Sequence, residues 1–196
     1  MPDSPSPEDP RRAEAELSRL DHSTASVMSA NWAMYQVLRQ LALQPDAVAG
    51  HSCGETSALA AAGCIDADDH LLRQLFTLGY VLQQEENAGS MADAALLAIG
   101  AGRPQVAQWL DGISADAFLA IDNCPHQTVV SGTVAAVAVL EQRLQAAGMV
   151  CERLPFKRPY HAPLFQRYMA PVVQMYETIP FRAPRVRRAP RVFTGG

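Results

Sequence analysis

The sequence predicts an α/β fold built in two parts, and three observations predict it. A short apolar run, Asp46 to Gly50, stands between helical stretches, as a buried strand does. Farther on, residues 94–155 alternate short strand-like and helical segments in the order βαββαβ, the pattern of a small split-βαβ sheet with helices on one face. At 196 residues and 48% hydrophobic, the chain is long enough to bury a core.

Residues 1–12 are rich in Pro, Ser and acid and cannot bury enough surface to offset chain entropy, so they are expected to be a disordered lead-in. From Thr24 to Leu43, Val27, Ala30, Met34, Val37 and Leu41 recur at helical spacing, which predicts a helix with that stripe inward, ending before Pro45. Asp46–Gly50 follows as the strand. Glu55 to Ala62 is an alanine-rich helix ending at Gly63, and Asp66 caps a further helix carrying Leu71, Leu72, Leu75, Phe76 and Leu82. In the second rhythm, 94–100, 117–122, 127–131 and 149–155 read as strands, and 103–112 and 133–147 as helices. Leu164 to Tyr176 reads as a helix kinked at Pro171, followed by an extended arginine-rich end.

A net charge near −4 argues against bulk nucleic-acid binding. Cys53, Cys64, Cys124 and Cys151 lie far apart, with neither metal-site spacing nor a disulfide framework, so no metal is expected and reduced thiols in a cytoplasm fit best. The start has no signal-peptide pattern, and no run of about 18 apolar residues predicts a membrane span.

Gly50-His51-Ser52-Cys53-Gly54 is a G-x-S-x-G between an apolar run and a small-residue helix. A serine hydroxyl is a poor nucleophile and needs exposure on a tight turn, a base, and backbone N–H donors for the oxyanion. Glycines at 50 and 54 permit such a turn and close packing, and the Cys53 N–H at the helix start is the natural first oxyanion donor. On five residues alone, a glycine-rich strand-to-helix turn without chemistry reads equally well.

The surrounding AVAGHSCGETSALAAAGCID resembles the GHSxGE block of malonyl-transacylase-like acyltransferases. Asn123-Cys124-Pro125-His126-Gln127 through Val130-Ser131-Gly132 resembles that family's N-x-P-x-Q-x-V-x-S-G segment, and Tyr160-His161-Ala162-Pro163-Leu164 its F-H-S-P-L segment. The resemblance covers about residues 25–195. It implies an α/β-hydrolase-like subdomain, residues 13–92 and 157–196, with an inserted ferredoxin-like subdomain, 93–156. It also implies the chemistry: Ser52 is acylated by an acyl-CoA thioester, malonyl or related, His161 is the general base, and the acyl group leaves on the phosphopantetheine thiol of an acyl carrier protein. Coenzyme A thioester and carrier phosphopantetheine are then substrates and no cofactor is needed. Neighbouring synthase domains are expected partners, in polyketide or fatty-acid biosynthesis, with neither nucleic acid nor membrane. The implied substrate-binding residues are His51, Thr77, Asn123 and Tyr160, while Glu55 is a helix-start acid.

The family's G-Q-G-x-Q loop, which supplies the second oxyanion donor, and its closing G-P pair have no counterpart here, which reads as a fragment short at both ends. Losing one such donor costs about 100- to 1000-fold in rate. Malonyl-selecting members carry a carboxylate-binding arginine on the helix after the serine block, where this sequence aligns Thr77, or Gly79 with a small slip, and Arg73 lies one turn earlier. Weak discrimination for malonyl follows. Lys157-Arg158-Pro159-Tyr160 matches neither common selectivity motif of modular synthases and is closer to iterative, enediyne-type synthases. Arg182, Arg185, Arg187, Arg188 and Arg191 make a basic run that reads as a solvated linker or as a docking patch for an acidic carrier. The alternatives are an acyl hydrolase or esterase on a related fold and a catalytically degenerate docking module.

Overall fold

The computed structural model describes residues 16–184 apart from 92, 114 and 156, so the lead-in 1–12 and Arg185, Arg187, Arg188 and Arg191 lie outside the described residues. The fold is mixed α/β. It forms two compact units, one of residues up to Asn87 joined by those from Pro171, the other running from Ala88 to Ala170.

The first unit is helical: α1 Leu20–Gln40, α2 Gly54–Ala61, α3 Asp69–Asn87 and, after the second unit, α6 Ala170–Thr178. Helix α1 forms where the sequence predicts it but turns the other face inward. Leu20, Ala25 and Met28 are buried, with Trp32 packed against the same core, whereas Val27, Met34, Val37 and Leu41 are exposed. The inward face is selected by α3, where Gly79 lets two backbones meet: a Cβ there would stand 2.5 Å from the Leu20 carbonyl oxygen. The buried Gln83 side chain then accepts the Leu20 N–H at 2.9 Å, satisfying one of the amides orphaned at a helix start. The core of this unit is Met28, Ala60, Ile65, Leu71, Leu75, Met175 and Ile179.

Two expectations for this unit are corrected. Residues 46–50 form no strand; they run as irregular chain with Ala47 and Ala49 exposed, and no described segment pairs with them. Apolar composition makes a strand only where a neighbour supplies the ladder. The cap of α3 is Asp68, whose carboxylate accepts the Leu71 N–H at 2.9 Å, a bond that holds its pKa below the usual range. Asp66 instead pairs with Arg182, and Phe76 is exposed.

Helix α1 ends in a Schellman pair, Leu43 N–H to Leu38 O at 3.1 Å and Ala42 N–H to Arg39 O at 2.9 Å, with Ala42 at φ 57°. The left-handed conformation costs a side-chain-bearing residue about 1 kcal/mol that glycine avoids. Ala42→Gly is therefore expected to stabilise the protein by up to about 1 kcal/mol, read as a rise in the urea midpoint at unchanged slope. An unchanged or lower midpoint would count against the strain. Gly63 after α2 fills the same position with φ 75° and the same pair of bonds.

The second unit is a four-stranded sheet, β1 Ala94–Ile99, β2 Ala117–Cys124, β3 Gln127–Thr133 and β4 Cys151–Arg153, with α4 Arg103–Leu110 and α5 Val134–Ala146. Strand order is β2-β3-β1-β4, and every neighbouring pair is antiparallel. Alternate residues Ala95, Leu97 and Ile99 of β1 meet Val130 of β3, Val106 of α4 and Val137, Leu140 and Leu144 of α5 in the core. Thr133 caps α5 by accepting the Ala136 N–H, and Gly148 ends it at φ 72°. β4 is shorter than expected.

The unit does not stop at 156. Ala94 N–H bonds Lys157 O at 3.1 Å, and both the Arg167 guanidinium and the Tyr168 hydroxyl donate to Ser90 O. These bonds hold 157–168 with the sheet, so His161 belongs to this unit. The expected helix Leu164–Tyr176 is two elements: a 3-10 helix, Pro163–Tyr168, and then α6. Pro171 sits in the first turn of α6, where its missing N–H is no loss, so it marks a restart rather than a kink.

Candidate functional site

Ser52 lies in the turn that opens α2, exposed, with φ 55°. Glu55 N–H bonds Ser52 O at 2.9 Å and Gly54 N–H bonds His51 O at 3.0 Å, which fixes the turn. Left-handed backbone at a non-glycine residue is strained and persists where its surroundings over-determine it. Gly50 supplies that determination: a Cβ there would stand 2.4 Å from Gly54 O and 2.5 Å from Glu55 N. Gly54 is different, for nothing lies within 4 Å of its Cβ position. Cys53 is the N-cap of α2, so its amide is among those the helix does not use, and Glu55 sits in the first turn, where an acid complements the helix dipole. His51 is exposed beside it.

Helix α2 is held from two sides that the sequence does not reveal. Tyr35 donates to Ala61 O at 3.0 Å, and the hydroxyls of Thr56 and Tyr176 share a hydrogen bond across 120 positions of chain. No local pattern could have paired them.

His161 lies in the second unit, exposed, at φ 56°. Its turn is tightly built: Tyr160 N–H bonds Arg158 O at 2.8 Å, and Ala162 N–H bonds Pro159 O at 3.3 Å. Pro159 is among the most deeply buried residues. Half-buried Tyr160 stacks on Phe165 with 5.5 Å between ring centroids, and Phe165 on Tyr168 with 5.6 Å. Arg158 Nη1 donates to the Tyr160 hydroxyl at 3.4 Å.

The remaining predicted residues are placed as follows. Thr77 is exposed on α3 and its hydroxyl donates to Arg73 O at 2.9 Å. Arg73 is exposed and pairs with Asp69 at 3.8 Å, one turn back on the same helix. Gly79 faces the Leu20 backbone and has no room for a side chain. Asn123 is the last but one residue of β2 and donates across the hairpin to Gln127 Oε1 at 2.9 Å. All four cysteines are unpaired, with Cys53 and Cys124 exposed. Among the described residues, no His, Cys, Asp or Glu group converges as a metal site would require, and no helix is long and apolar enough to cross a membrane. Arg182 is tied down, its N–H to Cys64 O at 2.8 Å and its guanidinium to Asp66.

These features define a mixed α/β protein with a serine held in strained backbone at a helix start. The model of the acyl transferase domain matches residues 9–192, and the chain belongs to that family. It is 31% identical over 154 residues, 77% of this chain and 8% of the other, to a 6-methylsalicylic acid synthase of Aspergillus terreus. Among solved structures it is similar to a malonyl CoA-acyl carrier protein transacylase from Burkholderia pseudomallei, at TM-score 0.76 and 28% identity, covering 91% of this chain and 59% of that one. A malonyl-transacylase solved with its type II polyketide synthase acyl-carrier protein matches at TM-score 0.76 and 25% identity, covering 88% of this chain and 56% of that one. The chain spans less than a tenth of the length of the curated relatives it matches.

Proposed function

We propose that this chain is the acyltransferase of a polyketide or fatty-acid synthase system, moving a malonyl or related acyl group from coenzyme A to the phosphopantetheine thiol of an acyl carrier protein through an ester on Ser52. The observation that carries the reading is Ser52 itself, exposed at φ 55° at the start of α2, the setting a serine nucleophile requires. Family membership and the carrier-bound transacylase among the similar structures support the transfer reaction and the carrier partner. The strand order β2-β3-β1-β4 supports a ferredoxin-like second unit.

In this reaction Ser52 Oγ attacks the thioester carbonyl while His161 takes the hydroxyl proton. The oxyanion that forms is met by the Cys53 N–H with the positive end of α2 behind it. Collapse breaks the carbon–sulfur bond, and the coenzyme A thiolate leaves with the proton from His161. The carrier thiol then gives its proton to His161 and attacks the ester, and Ser52 recovers its hydrogen. His51, Thr77, Asn123 and Tyr160 are assigned to acyl-group and thioester contacts.

Intact-mass spectrometry after mixing with malonyl-CoA is expected to show one added acyl group, mapped to the peptide of Ser52 and absent in Ser52→Ala. Added carrier protein is expected to remove the group faster than water does. An adduct that survives Ser52→Ala, or one found on Cys53, rejects the nucleophile.

A further inference from the structure

We propose that Tyr176 is a positioning residue for the nucleophile: by holding the Thr56 hydroxyl it keeps that hydroxyl off the carbonyls of the Ser52 turn, and so fixes where Ser52 Oγ is presented. The inference rests on the acyl-Ser52 reading above. Helix α2 cannot hold its own start. It has 8 residues, and Cys53, its N-cap, makes no side-chain capping bond; a helix that short is marginal in water on its own. The left-handed backbone at Ser52 therefore depends on what surrounds it. Helix α1 holds the far end of α2 through Tyr35 to Ala61 O, and its middle through Asn31 Nδ2 to Ser57 Oγ at 3.1 Å. At the near end the tie comes from α6. Thr56, in the first turn of α2, meets the Tyr176 hydroxyl at 2.5 Å.

Thr56 is 4% exposed, so its hydroxyl needs a protein partner. A helical threonine otherwise bonds back to a carbonyl three or four residues earlier. Here those carbonyls belong to Cys53 and Ser52. Ser52 O accepts the Glu55 N–H at 2.9 Å, the bond that closes the nucleophile's turn, and Cys53 carries the amide assigned to the oxyanion. A threonine turned onto either carbonyl competes with that bond or tilts that part of the turn. Tyr176 removes the competition from a fixed place. Its ring packs against the core of the first unit, to which its neighbours Met175 and Ile179 belong. Two residues on, Thr178 accepts a hydrogen bond from Gln74 Nε2 of α3 at 2.7 Å and donates to Met175 O at 2.7 Å, which ties the end of α6 to α3.

The test follows acylation of Ser52 at a series of malonyl-CoA concentrations. Tyr176→Phe, which deletes one oxygen and keeps the ring, is expected to lower the limiting rate about 10-fold, part of the loss that a displacement of about 1 Å brings. Half-saturation is expected to stay within about twofold, since Tyr176 is not among the groups assigned to the thioester. Tyr176→Phe combined with Thr56→Val leaves no hydroxyl to turn, and is expected to recover the limiting rate to within about threefold of the unmodified protein. Hydrogen exchange at the Gly54 and Glu55 amides, the donors that close the turn, is expected to rise about 10-fold in Tyr176→Phe and to fall back in the double variant. That arm needs no chemistry at Ser52. An unchanged limiting rate in Tyr176→Phe, or a loss confined to half-saturation, overturns the proposal. So does a double variant as slow as Tyr176→Phe, the mark of a core loosened in general. If the unmodified protein does not load Ser52 at all, exchange decides: a rise that the double variant reverses keeps the positioning role and rejects the acyl-serine reading, and no rise rejects both.

Discussion

Replacing His161 by glycine is expected to slow acylation of Ser52 by about 100- to 10,000-fold, the range that a positioned general base contributes. Glycine is the better probe than alanine because residue 161 stands at φ 56°, a conformation glycine adopts without cost. The turn should survive, since backbone bonds from Tyr160 N–H to Arg158 O and from Ala162 N–H to Pro159 O hold it. What is removed is the proton acceptor of the proposed reaction, so free imidazole added to His161→Gly is expected to restore part of the rate. The measurement is a time course of the acyl adduct by mass spectrometry, with circular dichroism as a check on folding. Loading that proceeds at the unmodified rate in a folded His161→Gly protein would remove the base from the mechanism.

Gly50→Ala is expected to be nearly as damaging, by a different route. The new methyl would stand 2.4 Å from Gly54 O and 2.5 Å from the N and Cα of Glu55, all backbone atoms with no rotamer to escape into. The turn must therefore open, costing about 1–3 kcal/mol of stability, as overpacking does. A displacement of order 1 Å at a reacting atom costs about 100-fold in rate. Gly54→Ala provides the control, because its Cβ meets nothing within 4 Å and alanine is the better helix former. Thermal melts and acylation rates on the two variants decide it. Equal behaviour would mean that the turn is not shaped by Gly50.

The sequence treats those two glycines alike, since both belong to one motif, and only the backbone crossing at residue 50 separates them. The same limit runs through the fold. Elements whose signals are local came out close to their observed bounds: β1, the β2–β3 hairpin, and α5 with its Gly148 stop. Features that depend on a distant neighbour did not. Val27, Met34, Val37 and Leu41 make a stripe at helical spacing, yet α3 and its Gly79 select the opposite face of α1. Residues 46–50 are apolar but find no ladder among the described strands. At the site, the motifs named Ser52 and His161 by residue type and order. Neither motif states that both residues take left-handed backbone, nor that Tyr160, Phe165 and Tyr168 stack behind the histidine turn.

Ala42, Ser52 and His161 are the non-glycine residues with positive φ among the described ones. At Ala42 the side chain carries no function assigned here, and a stabilised variant is available by mutation to glycine. At Ser52 and His161 the same exchange would also relieve strain, by about 1 kcal/mol each, and would remove the two groups assigned to the chemistry. A search that scores variants by thermal stability alone would therefore be drawn toward glycine at all three positions without telling the first from the others. Any effort to harden this protein has to hold 52 and 161 fixed, because there the conformational optimum and the proposed chemistry pull in opposite directions.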